Sequence, residues 1–153
     1  MDRTRPALRG GDWSVGPTGD EVRGMSASGE LGKHTILVTG AMGCIGAWVL
    51  RHAVEAGHEV IAFDLAERRD RIEAVLEASA VDSVRFVKGD LTDRKHVDAA
   101  LEDHAVSAIV HLAALQVPFC RADPALGARV NVEGTVNVFE AARAYGLPHV
   151  AYA

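Results

Sequence analysis

The chain has 153 residues, room for one domain with a sizeable core, and 48% apolar, 24% charged and 5% aromatic residues place it among soluble globular proteins. A formal net charge of -5 without a basic block argues against a nucleic-acid surface, and no apolar run approaches the roughly 20 residues that span a bilayer. Two cysteines, Cys44 and Cys120, are too few to staple a scaffold and stand in no Cys/His cluster, so the expectation is a reducing cytoplasm, no metal site, and thiols that serve packing or loops.

Residues 1–33 are glycine-dense, carry Pro6, Pro17 and scattered charges, and show no apolar period. They read as a disordered arm without the h-region of a secretory signal, and Met25 is an alternative start. The domain is expected over 34–153.

Ile36, Leu37 and Val38 form an apolar, β-branched run of the kind that a strand buried on both faces needs. Gly40, Gly43 and Gly46 follow as G-x-x-G-x-x-G, and a helical stretch opens near Cys44. Strand, glycine turn and helix in that order are the context of a dinucleotide fingerprint, whereas a bare glycine triplet is an ordinary βα turn. Gly40 permits a tight turn, Gly43 lets the backbone approach a pyrophosphate, and Gly46 lets the helix pack against the strand. The free N–H groups of the new helix then face the phosphates.

Ile45, Trp48, Val49, His52, Ala53 and Ala56 are expected to trace the inward face of that helix, with Gly57 as its stop. His58 to Asp64 reads as a second strand, and Asp64 ends it where an acid can hydrogen-bond a ribose. Glu67 to Ala78 reads as a charged helix carrying Ile72, Val75 and Leu76, with Arg68, Arg69 and Arg71 as a solvated basic face. Val84 to Val87 is a third strand; Thr92 or Asp93 caps a helix running to about Asp103 with Val97, Ala100 and Leu101 inward. Ala108 to Leu112 is a fourth strand. Leu115 to Pro124 reads as a loop because of Pro118 and Pro124. A long helix then runs to about Tyr145, with Val130, Val136, Phe139 and Ala142 as core candidates and Gly134 signalling a close approach. His149 to Tyr152 begins a fifth strand.

The alternation predicts an α/β fold, a Rossmann-type doubly wound parallel sheet in strand order 3-2-1-4-5 that stops after its fifth strand. The ligand crevice is expected at the carboxyl ends of strands one and four, between Gly40–Gly46 and Leu112–Gln116.

Thr39 to Gly46, Gly89-Asp90-Leu91, His111-Leu112-Ala113-Ala114 and Asn131 to Thr135 each resemble, in order, signatures of extended short-chain dehydrogenases/reductases. The branch they are most similar to is the NAD-dependent epimerase/dehydratase family, over residues 34–153. The resemblance implies that Cys44 and Ile45 meet the pyrophosphate through their backbones and that Asp64 meets the adenosine ribose. Asp90 and Leu91 would flank the adenine, and Leu112, Ala113, Ala114 and Gln116 would line the path of the ribose and nicotinamide. Asn131 would brace this region. Taken singly, Asp64 and Asp90 could be turn caps, Ala113 and Ala114 core residues and Asn131 a surface amide. His111 is read as a satisfied core residue without chemistry.

The family's catalytic Ser/Thr and Tyr-x-x-x-Lys are not found in these residues, and Tyr152 belongs to the strand motif. The expectation is therefore the NAD-binding portion of such an enzyme, inactive by itself. It would meet a nucleotide-sugar substrate only with a further C-terminal part, and the resemblance implies a homodimer formed partly through the long helix. Asp64 favours NAD over NADP, with Arg68 and Arg69 as the reason for caution. The alternative is a non-catalytic NAD(P)-binding module or sensor. A P-loop enzyme is disfavoured, because no Gly-Lys-Ser/Thr follows the glycines.

Overall fold

Alternate residues along the inner strands divide the core into two halves. Leu37, Ile61, Phe63 and Ile109 point to one face of the sheet, and Val38, Val60 and Ala62 to the other, as a period of two requires when both faces are covered. The computed structural model describes residues 32–153. Apart from Gly32 and Lys33, the arm expected over 1–33 lies outside the described residues.

The elements are β1 (Thr35–Thr39), α1 (Cys44–Glu55), β2 (Glu59–Asp64), α2 (Asp70–Glu73), α3 (Ala78–Val81), β3 (Arg85–Lys88), α4 (Arg94–Asp103), β4 (Ala108–His111) and α5 (Val117–Ala122). A long helix follows as α6 (Pro124–Ala128), a π-helical turn (Arg129–Gly134) and α7 (Thr135–Ala144), and β5 (His149–Tyr152) comes last. The five strands are parallel in the order β3-β2-β1-β4-β5. This is the doubly wound sheet expected from the alternation. Helices α1, α2 and α3 cover the Val38 face; α4 and α7 cover the Leu37 face.

Four local expectations are corrected. The first is the face of α1. Gly46, Ala47, Leu50 and Ala53 are buried, while Ile45 and Trp48 remain 66% and 45% exposed and His52 and Ala56 face solvent. The glycine turn brings the start of the helix so close to its strand that Gly46 and Ala47 lie beneath it, with the larger Leu50 buried one turn further on, and of the expected inward residues only Ala53 is buried.

Second, the single helix expected over Glu67–Ala78 is two short ones. The chain turns extended at Glu77 (ψ 148°), which brings Val81 into the same cluster as Ile72 and Leu76. In one unbroken helix Val81 would stand on the side opposite Ile72.

Third, the expected loop at Leu115–Pro124 contains α5. Pro118 sits in its first turn and Pro124 opens α6, positions where a missing N–H removes no helical bond. Both prolines stand in the first turn of a helix here, a place that the turn signal of proline does not distinguish from a break.

Fourth, α7 buries Val138, Ala141 and Ala142, and of the core candidates Val136 (53%) and Phe139 (41%) stay exposed. Helical spacing from the half-buried Val130 runs through Gly134, Val138 and Ala141 to Ala142, so Ala142 is core as expected, whereas Val136 and Phe139 lie off that face. Gly134 does mark a close approach: a Cβ there would stand 3.1 Å from the Leu91 Cβ.

Candidate functional site

All strands being parallel, the residues singled out in the sequence fall along one edge of the sheet. Gly89 and Asp90 follow β3, Asp64 ends β2, Gly40 follows β1, and Leu112 to Gln116 follow β4. The edge is open between β1 and β4, where successive connections diverge to opposite faces.

The glycines are fixed by distance. Gly40 has φ +69°, and a Cβ there would lie 2.7 Å from the Ala113 N, so β1 and β4 leave no room for a side chain between their ends. At Gly46 a Cβ would lie 2.3 Å from the Gly40 O and 2.7 Å from the Ala41 Cα, which is the close helix–strand packing expected of the last glycine. Gly43 is less confined, a Cβ there meeting only the Gly40 O, at 3.1 Å. It forms the N-cap of α1 with no side chain closing the helix end, and the exposed Cys44 and Ile45 begin the first turn. That end therefore presents unsatisfied N–H groups and the positive end of the helix dipole.

Asp64 and Asp90 both carry structural bonds. Asp64 Oδ2 accepts from the Met42 N (3.0 Å) and Oδ1 from the Leu65 N (2.8 Å). Asp90 Oδ1 accepts from the Thr92 N and Oγ1, each at 2.8 Å. A carboxylate has about four lone-pair sites, so these bonds orient each group and leave acceptor capacity. Leu91 is buried, and its carbonyl accepts from Asn137 Nδ2 (2.8 Å), a tie the sequence did not disclose. Ala113 is half-buried under Gly40, whereas Ala114 and Gln116 are exposed, Gln116 as the extended N-cap of α5.

Behind β4 runs a continuous polar chain. The Leu112 and Ala113 N–H groups donate to Thr39 Oγ1 (3.3 and 3.4 Å), and Thr39 Oγ1 stands 2.6 Å from His111 Nδ1. His111 Nε2 meets Thr135 Oγ1 at 3.0 Å, and Thr135 donates to the Asn131 O (2.9 Å). Since the Thr135 hydroxyl proton is committed to Asn131, His111 donates from Nε2 and accepts the Thr39 hydroxyl at Nδ1; the tautomer follows from the network. Burial lowers the His111 pKa, which keeps the ring neutral as the chain requires. His111 is thus the satisfied core histidine of the sequence reading. Thr39 and Thr135 are its unforeseen partners, and Thr39 could have been suspected only from its place beside Gly40.

Arg71 was also missed. Its Nη1 donates to the Met42 O (3.1 Å), so part of the supposed solvated face reaches the glycine turn.

A doubly wound α/β domain with a glycine turn, an uncapped helix end and acids at the ends of β2 and β3 belongs to the class of nucleotide-binding folds. Residues 36–153 match the NAD dependent epimerase/dehydratase family, and the chain belongs to that family. It is 33% identical over 119 residues to a UDP-glucose 4-epimerase of Klebsiella pneumoniae, covering 76% of this chain and 86% of that one. It is 32% identical to a dTDP-glucose 4,6-dehydratase of Neisseria gonorrhoeae, covering 74% of this chain and 34% of the relative, so it spans about a third of that protein's length. The crystal structure of a Thermus thermophilus UDP-glucose 4-epimerase in complex with NAD superposes with a TM-score of 0.65 at 29% identity, covering 76% of this chain and 36% of the other.

Proposed function

We propose that residues 34–153 bind NAD and form the cofactor portion of a sugar-nucleotide epimerase/dehydratase-type oxidoreductase. The observation that carries this is the uncapped amino end of α1, set by Gly40 against the end of β4 and flanked by the Asp64 carboxylate. The edge fits a dinucleotide. The Cys44 and Ile45 backbones would hold the pyrophosphate, the spare Asp64 lone pairs the adenosine ribose, and Asp90 and Leu91 the adenine. Leu112, Ala113, Ala114 and Gln116 would border the nicotinamide side, with Asn131 bracing them from the long helix. The bound nicotinamide would accept and return a hydride.

The chain's own residues bind and orient. No catalytic residue is assigned in 34–153, since they contain no Tyr-x-x-x-Lys, and these residues by themselves are proposed to lack turnover. NAD is favoured over NADP because the Asp64 carboxylate would repel a 2′-phosphate. The nucleotide-sugar substrate is inferred from the relatives' names. A homodimer is proposed through Val132, Val136 and Phe139, which stay exposed on the long helix.

Calorimetric titration of the chain with NAD tests the reading. Saturable binding of NAD, tighter than NADP, is expected; no heat at millimolar NAD would overturn it.

A further inference from the structure

We propose that Arg71 is a positioning residue for the dinucleotide phosphates, acting through the backbone of Met42 rather than on the ligand. The inference rests on the dinucleotide-binding reading above and assigns a role to a side chain outside the glycine motif.

Met42 directly precedes Gly43 and is buried like Ala41 before it, and side chains hold both of its polar backbone groups. Its N–H donates to Asp64 Oδ2 (3.0 Å), and its carbonyl accepts from Arg71 Nη1 (3.1 Å). The Met42 carbonyl and the Gly43 N–H belong to one planar peptide. Gly43 N donates to the Gly40 O (3.0 Å), so that peptide is held at both ends, by the turn on one side and by Arg71 on the other. It leads directly into the first turn of α1. The orientation of the amides offered to a phosphate is therefore set before any ligand arrives, which lowers the entropy lost on binding.

Of the neighbouring arginines, Arg71 is the one free for this work. Arg69 pairs with Glu67 and lies 3.8 Å from the Phe86 ring centroid, and Arg68 lies 3.9 Å from Asp70. Among the described residues no carboxylate stands within salt-bridge distance of Arg71. The fully buried Ile72 beside it anchors α2 in the same cluster as Met42, Ala47 and Leu50, which keeps the guanidinium within reach of the turn. A hydrogen bond from a charged donor is about twice as strong as a neutral one, enough to hold one peptide against solvent.

The test combines calorimetry with amide hydrogen exchange on wild type, Arg71→Met and Arg71→Lys, using the full 153-residue chain. Arg71→Met should bind NAD about tenfold more weakly, the usual size of a lost charged hydrogen bond. Its Met42 and Gly43 amides should exchange faster in the absence of ligand while core amides do not. Arg71→Lys, which retains a charged donor, should recover most of both. Unchanged affinity in Arg71→Met overturns the proposal. So does weaker binding with unchanged exchange at Met42 and Gly43, which would mean that Arg71 acts on the phosphates by charge. If wild type itself fails to bind NAD, the dinucleotide reading falls, and the exchange comparison still decides whether Arg71 clamps Met42.

Discussion

Asn131 pairs with both polar groups of the Leu115 backbone: its Oδ1 accepts from the Leu115 N at 2.7 Å and its Nδ2 donates to the Leu115 O at 3.0 Å. A side-chain amide here does what a neighbouring strand would do, and it fixes the chain as it leaves β4 for α5. Cys120 Sγ adds a donor to the same carbonyl at 3.3 Å. Asn131→Asp keeps the acceptor and loses the donor, leaving two oxygens facing at 3.0 Å. It should cost about 1–3 kcal/mol of stability, read as a lowered urea midpoint with unchanged slope. A variant as stable as wild type would show that the brace contributes nothing.

The last two glycines should fail differently. Gly46→Ala places a Cβ 2.3 Å from the Gly40 O, against backbone that cannot yield, so it should destabilise the domain itself. Gly43→Val meets that oxygen at 3.1 Å and projects where the pyrophosphate is proposed to lie. It should keep most of the melting temperature and lose NAD binding. Normal NAD affinity in Gly43→Val would remove the phosphate role from the turn.

Stability should fall on acidification, and His111 should account for part of the slope. Burial lowers its pKa in the folded chain, so below the ordinary imidazole range the unfolded chain binds the extra proton more readily. The contribution is complete above that range, about pH 6.5, and is lost as the pH falls beneath it. Protonation also removes the Nδ1 acceptor of the Thr39 hydroxyl. Urea midpoints measured from about pH 7.5 to about pH 5.5 should show a shallower decline in His111→Gln than in wild type. Equal slopes would place the acid sensitivity elsewhere.

Asp64→Asn should lower NAD affinity and narrow the gap to NADP, because it removes the charge that would repel a 2′-phosphate while keeping an acceptor for the Met42 N. Competition titration with both dinucleotides measures the ratio. A ratio equal to that of wild type would show that Asp64 acts on the glycine turn alone.

Phe139→Glu should reduce self-association without loss of fold. Phe139 is 41% exposed beside Val136 and meets Tyr152 edge-on at 5.9 Å, giving an apolar surface next to the edge strand β5. Sedimentation should show wild type associating over the micromolar range and the variant remaining monomeric. Identical behaviour of the two would dissociate this face from assembly.

What the sequence determined by itself is what depends on neighbours along the chain. The run Ile36–Val38, the glycines at 40, 43 and 46, and the alternation of strands with helices sufficed for a parallel sheet covered on both faces and for the edge where Gly40, Asp64 and Leu112 gather. They sufficed because glycine spacing and strand polarity are local constraints on backbone geometry. Tertiary structure decided what depends on distance. The inward face of α1 starts from Gly46 because the glycine turn lays it against β1, α7 turns Val138 rather than Val136 to the sheet, and Pro118 sits in the first turn of a helix. Arg71 reaches Met42, and His111 joins Thr39 to Thr135, across separations in the chain that no spacing rule encodes. Those contacts exist because the parallel sheet brings every strand's carboxyl end to one edge, and packing then selects which side chains meet there.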